Sequence, residues 1–212
     1  MSKNKPVGYF DFVLAIDCET TGVCFSSDSA VHNEATGERH QTVSWGVLVV
    51  DATKLNIIEE LYIEIAWNKI SIAQRDADPT FGKEAESVHG LTKEYLDEHG
   101  ITEEEAVVKI LNLVAKYWGA ETSIVTLGHN VHTFDMVFLR DLVRRQGIEL
   151  RLNNRHIDTN SIGFANWQTY NSDQLFDLMG FEQRTDHNAL EDIKMTLAAL
   201  RASRLIFQRA LN

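Results

Sequence analysis

The chain has 212 residues, 31 acidic and 20 basic side chains, a formal net charge of −11 at pH 7 and 44% hydrophobic residues. This composition excludes an intrinsically disordered chain and suits one domain, spanning residues 1–212, with a substantial core. The acidic balance excludes a protein held on nucleic acid by broad electrostatics alone, though not an enzyme whose cations offset charge locally. Residues 1–11 read as a short leader, and no long apolar segment follows, so neither a signal peptide nor a membrane span is expected. Cys18 and Cys24 make no disulfide framework and no C-x-x-C pair, and a reducing cytoplasm is the expected location.

The first predicted strand covers residues 13–17, nearly all apolar, as expected of a central strand buried on both faces. Residues 23–42 are polar with no clear period and read as a long surface loop. Residues 43–51 and 57–65 read as two further strands joined by a hairpin. Thr102 and Glu105 have the spacing of a capping box, and Val107, Ile110, Leu111, Val114 and Trp118 follow at helical spacing. A short strand at 124–127 leads to a helix over 134–146 with Phe134, Val137, Phe138 and Leu142 on one stripe. Residues 155–158 suit a last strand, Ser172 caps a short helix, and a final helix runs over about residues 188–207. Strands mixed with helices in this order predict one α/β domain around a mixed sheet.

Three segments carry the candidate chemistry. Asp17 and Glu19 stand two apart at the end of the first strand, so their side chains share a face and Cys18 points to the other. Two like charges side by side are unfavourable without a cation, and a set of oxygen ligands suits Mg²⁺ or Mn²⁺. Thr20, Thr21 and Gly22 follow as a tight turn able to approach a ligand closely. Asp135 begins a helix directly after a strand ending in Gly128-His129-Asn130, the kind of place where α/β sheets put ligands. His187 and Asp192, five apart, leave a common face if both are helical, so His187 is expected on a loop or first turn with Asp192 on the helix behind. Each segment alone has an ordinary explanation: a surface carboxylate pair, a first-turn Asp favoured by the helix dipole, a capped helix with a solvated histidine.

Together the segments resemble the DEDDh 3′–5′ exonucleases of the ribonuclease H-like group. The match runs in order through Asp17-x-Glu19-Thr20-Thr21-Gly22, Asn130-x-x-x-Phe134-Asp135 and His187-Asn188-Ala189-Leu190-x-Asp192. Val88-His89-Gly90-Leu91-Thr92 and Asp158-Thr159 resemble two further family segments. Several motifs in one order are far more specific than any one.

The resemblance implies a ribonuclease H-like fold with a mixed sheet of about five strands flanked by helices. It implies two divalent ions, Mg²⁺ or Mn²⁺, held by Asp17, Glu19, Asp135 and Asp192, with His187 as general base. It places Thr20, Thr21, Gly22, His89, Asn130 and Phe134 at the substrate. Asp158 is expected to be structural, and His129, His132 and His156 receive no catalytic role. Phe25, Trp45, Phe81, Phe134 and Trp167 are the candidates for stacking on a terminal base, most of them better suited to the core.

The implied substrate is the 3′ end of a single-stranded nucleic acid, DNA favoured over RNA, with nucleoside 5′-monophosphates as products. A polymerase or other replication or repair protein is among the partners the resemblance admits; a membrane is not. The competing readings are an exoribonuclease or oligoribonuclease and, from another class, a non-catalytic accessory module. The module is disfavoured because all five core residues persist.

Overall fold

Strand β1 (Phe12–Thr20) organises the molecule. The computed structural model describes residues 10–24, 29–67, 81–119, 122–181 and 187–210. Phe25, Asp186, both prolines and nearly all of the expected leader lie outside them. β1 pairs antiparallel with β2 (Thr42–Asp51), which pairs antiparallel with β3 (Ile57–Glu64). On its other side β1 runs parallel to β4 (Ile124–Gly128), and β4 parallel to β5 (Leu152–Asp158). The order β3-β2-β1-β4-β5 makes this the expected mixed five-stranded sheet, with β1 at its centre. Helices follow as α1 (Lys83–His89), α2 (Lys93–His99), α3 (Glu103–Tyr117), α4 (Asp135–Arg145), α5 (Thr159–Trp167), α6 (Ser172–Leu178) and α7 (Ala189–Ala210).

The period of two in β1 sorts its side chains between two cores. Leu14, Ile16 and Cys18 face a cluster built with Trp45, α3 and α4. Val13 and Ala15 face the opposite cluster, in which Ile193, Leu197 and Leu200 of α7 pack on Leu48 and Val50. Each such buried aliphatic side chain contributes roughly 1.5–3 kcal/mol. Asp17 and Glu19 continue the row begun by Val13 and Ala15, so that row is apolar where it is covered and acidic where it emerges at the strand's end.

Gly46 of β2 lies opposite Asp17. A Cβ there would come within 2.2 Å of the Ala189 carbonyl oxygen, so only glycine lets the start of α7 rest on the sheet beside the acidic pair. The Thr102–Glu105 capping box is present in both halves, with Thr102 Oγ1 accepting from Glu105 N–H at 3.1 Å and Glu105 Oε2 accepting from Thr102 N–H at 3.0 Å.

Several local expectations need correction. The short helix α6 is capped by Asn171, one residue earlier than expected, because the Asn171 side chain accepts from Gln174 N–H. Helices α1, α2 and α5 were not anticipated; two of them run only two turns, and α5 mixes small, polar and aromatic residues, so none offers a readable apolar stripe. The 23–42 stretch is not purely a surface loop. Val31, Asn33, His40 and Gln41 are buried, and Asn33 Oδ1 accepts from the Ala35 and Thr36 backbone N–H groups, closing a turn. Among the described residues no helix is long and apolar enough to cross a membrane.

Candidate active site

The segments singled out in the sequence converge on one cleft of about 750 Å³. Asp17, Glu19, Asp135, His187 and Asp192 all line it, from β1, the start of α4, and the start of α7 with the residues just before it. Thr20, Gly22, His89, Asn130 and Phe134 line it too. Thr21 does not: its side chain is buried, with Oγ1 accepting from Gln41 N–H at 3.1 Å and lying 3.3 Å from His40 Nδ1. The T-T pair therefore divides its work, since Thr20 Oγ1 donates to the Gly22 carbonyl and shapes the turn at the cleft wall.

Asp135 is buried, and its Oδ1 accepts from the backbone N–H of Cys18 at 2.9 Å. That bond ties the first residue of α4 to the strand holding Asp17 and Glu19. Burial pushes the Asp135 carboxyl up to about 7, against the lowering effect of hydrogen bonds from Cys18 and its own backbone, with the charge of Glu19 adding to the rise. Burial likewise pushes the Cys18 thiol well up, helped by the charges of Asp135, Asp17 and Glu19.

His187 Nδ1 lies 3.3 Å from Asp192 Oδ2. Its backbone N–H donates to the Val88 carbonyl at 3.0 Å, so the residue sits before α7 rather than within it, as the five-residue spacing requires. Asn188 Oδ1 accepts from the N–H groups of Leu190 and Glu191 and starts the helix that carries Asp192.

The neighbouring histidines have partners of their own, and His129 also lines the cleft. His89 Nδ1 accepts from Leu91 N–H at 3.0 Å, which puts the ring proton on Nε2. Burial lowers its pKa and His187 adds to the lowering, while the Thr20 carbonyl opposes it, so the His89 ring is a buried part of the cleft wall tied to the Thr20 backbone. His129 rests between Thr159 Oγ1 at 3.1 Å and the Tyr170 carbonyl at 2.8 Å. His132 and His156 stack on each other. Asp158 caps α5 and its Oδ1 also accepts from Asn130 N–H at 2.8 Å, holding Asn130 at a φ of 60°. Of the stacking candidates, Trp45 is core, Trp167 packs at a smaller cluster, Phe81 sits edge-on to Trp67 and His89, and Phe134 faces the cleft.

The cleft also takes in residues that the sequence reading missed. Thr196 stands one helical turn beyond Asp192, a spacing that could have found it. Lys83, Ser172 and Phe176 come from short helices with no such signal.

These residues fit divalent cations. Donor atoms of Glu19, His187 and Asp192 lie within 4.8 Å of one another. A buried carboxylate held near two others on β1 is a concentration of negative charge that a hard cation relieves. Fold and cleft together define an α/β protein with a carboxylate-rich centre suited to metal-dependent chemistry.

A family model described as Exonuclease (RNase_T) matches residues 14–200, and the chain belongs to this exonuclease family. Its fold is similar to that of E. coli exonuclease I in complex with a dT13 oligonucleotide, with a TM-score of 0.72 and 17% identity over 95% of this chain and 43% of that one. It is also similar to the nuclease domain of 3′hExo, a DEDDh family member bound to rAMP, with a TM-score of 0.63 and 14% identity over 95% of this chain and 94% of that one. A structure of a 3′-exonuclease recognising the 3′ end of a histone mRNA stem-loop gives a TM-score of 0.61 and 14% identity over 95% and 84% of the two chains. The chain spans less than half the length of exonuclease I. No curated protein sequence matches it.

Proposed function

We propose that the protein removes nucleotides from the 3′ ends of single-stranded nucleic acid, preferably DNA, and releases nucleoside 5′-monophosphates in a reaction that needs two divalent ions, Mg²⁺ or Mn²⁺. The convergence of Asp17, Glu19, Asp135, His187 and Asp192 on one cleft is the observation that carries this reading. The four carboxylates would hold the ions. When bound, such ions make water a better nucleophile at neutral pH and draw charge from the phosphate and leaving oxygen.

The chain's own residues supply the rest. With Nδ1–H donated to Asp192, the neutral His187 ring presents Nε2 as a proton acceptor, the tautomer a base requires. Asp192 orients that ring through one oxygen. His89 and the Thr20–Gly22 turn line the wall where a phosphate or sugar would rest. Phe134 offers a face for the terminal base. Exonuclease I bound to dT13 is the similar fold that favours DNA, while 3′hExo bound to rAMP supports the exoribonuclease alternative. A reducing cytoplasm, and a replication or repair protein as partner, complete the proposal.

The experiment is a digestion of 3′-labelled and 5′-labelled single-stranded DNA and RNA, with and without EDTA. Loss of the 3′ label first, only with divalent ion and faster on DNA, is expected. Asp17→Ala should nearly abolish hydrolysis while the protein stays folded. His187→Ala should lower turnover more than metal occupancy. A folded Asp17→Ala protein working at the wild-type rate would refute the assignment.

A further inference from the structure

The sequence contains a second group of metal-binding residue types that the catalytic centre does not use. We infer that Cys24, Glu38 and His40 form a separate metal-ion site, suited to Zn²⁺, at the rim of the cleft. Their donor atoms lie within 4.8 Å of one another. His40 Nε2 is 3.3 Å from Glu38 Oε1, which matches the edge of a tetrahedron with bonds of about 2.0 Å.

The imidazole is already oriented for this role. Its Nδ1 lies 3.3 Å from the buried Thr21 hydroxyl, which also accepts from Gln41 N–H. A proton on Nδ1 donated to Thr21 leaves the Nε2 lone pair on the side of Glu38, the arrangement that commonly supports a ligating histidine. The ring rests on Gly22, whose φ is +144° and where a Cβ would come within 2.5 Å of His40 Cε1.

Cys24 decides between a metal site and a simple ion pair. A His40–Glu38 ion pair involves two side chains only, whereas the Cys24 sulfur also comes within 4.8 Å of a donor atom on each of them. Cys24 is buried, yet it belongs to none of the described apolar clusters, whereas Cys18 does. Its backbone is pinned by a bond from Cys24 N–H to the Ala30 carbonyl, and its sulfur lies 3.7 Å from the Glu38 carbonyl oxygen. Burial and then the Glu38 charge push the thiol up, partly offset by a hydrogen bond with the Asn33 backbone, and a cation between thiol and carboxylate would favour the thiolate.

Thiolate, imidazole and one carboxylate make a softer donor set than the catalytic carboxylates. They select Zn²⁺ over Mg²⁺ and leave one tetrahedral position for water. An ion here would fasten the loop at residues 24, 38 and 40 to the Thr21–Gly22 turn that follows Glu19. Glu38 and His40 themselves line the cleft, so the site stiffens its rim.

The test is a Co²⁺ titration of the metal-free, reduced full chain followed by displacement with Zn²⁺. A near-ultraviolet thiolate-to-cobalt band should grow to one equivalent, vanish on adding Zn²⁺, and be absent from Cys24→Ser. Glu38→Gln, at an exposed position, and His40→Gln should each weaken Zn²⁺ binding at least about ten-fold. Asp17→Ala and Cys18→Ala should both keep the band, which assigns it away from the catalytic centre. In the Asp17→Ala background, which weakens ion binding at the catalytic centre, Zn²⁺ should raise the melting temperature, and adding Cys24→Ser should remove most of that rise. No sulfur band in the wild type, a band that persists in Cys24→Ser, or unchanged Zn²⁺ affinity in both Glu38→Gln and His40→Gln overturns the site. These readouts need no nuclease activity, so they stand or fall independently of the proposed reaction.

Discussion

Replacing Asp135 by Asn should stabilise the metal-free protein in a pH-dependent way while destroying its activity. Asp135 is 1% exposed, and burial raises its carboxyl from 3.8 to about 7. The folded state therefore holds a proton that the unfolded state has lost over that interval. Protons bound to the native state exceed those bound to the unfolded state, so stability falls as pH rises from about 4 to about 7 and then levels off. The whole interval corresponds to a ceiling on the order of 4 kcal/mol, and the part between about pH 5.5 and 8.5 to about 2 kcal/mol.

Asparagine is nearly isosteric and its Oδ1 can still accept the Cys18 N–H, so the variant keeps the tie between α4 and β1. Its amide N–H loses the match to Cys18's thiol, an offset of about 1 kcal/mol that does not depend on pH. The slope is thus the diagnostic quantity. Urea denaturation in EDTA at both pH values should show the variant gaining about 2 kcal/mol on wild type between them. Mn²⁺ should narrow the gap by stabilising only the wild type. Hydrolysis should fall by about 10²–10³-fold, as when one charge-stabilising group is removed. Parallel pH profiles for the two proteins, whatever the offset, would show that burial of Asp135 does not set its ionisation.

Other predictions follow from contacts away from the chemistry. Arg145 contacts both oxygens of buried Glu103 and also bonds Asp141 at 2.8 Å, so Arg145→Met should destabilise by about 3–5 kcal/mol, with Glu103→Gln recovering most of the loss in the double variant. A denaturation midpoint unchanged within error would contradict this. Gly46→Ala forces the Ala189 carbonyl away from β2, and should cost about 1–3 kcal/mol in stability but as much as about 100-fold in turnover, because Asp192 rides on the displaced helix; proportionate losses would mean the helix moves without disturbing the site. Thr102→Ala removes one half of the α3 capping box and should lower stability by about 1 kcal/mol with turnover unchanged, measured by thermal melting alongside the digestion assay.

How far the sequence could be read depended on the range of the interaction. β1, the hairpin β2–β3, the apolar stripes of α3 and α4 and the span of α7 are legible because each is written locally, and all reappear with their boundaries moved by a few residues. β1 itself extends to Thr20 because Glu19 and Thr20 still pair with Ser44 and Thr42, a fact held in the partner strand rather than in residues 12–20. The same holds for the loop at 23–42. Its polar composition points to solvent, but His40 and Gln41 are buried where Thr21, 19 and 20 residues earlier, meets their ring and backbone nitrogens.

The site shows the same division. Asp17 and Glu19 are tied together by strand geometry alone, and a pair of alternate carboxylates is readable without a structure. The environment that makes Asp135 unusual is not, since an Asp in a first turn looks the same whether its oxygen meets water or the N–H of Cys18 on another strand. The meeting of α7 with β1 is the furthest from the sequence. It needs a glycine in the middle of β2, opposite Asp17, which in isolation reads as a weak point in a strand. Once the helix is seen resting there, that glycine becomes the reason Asp192 can reach the carboxylates of β1. A search for such sites should therefore give weight to a strand glycine in register with an acidic pair, since its missing side chain marks where the last carboxylate arrives.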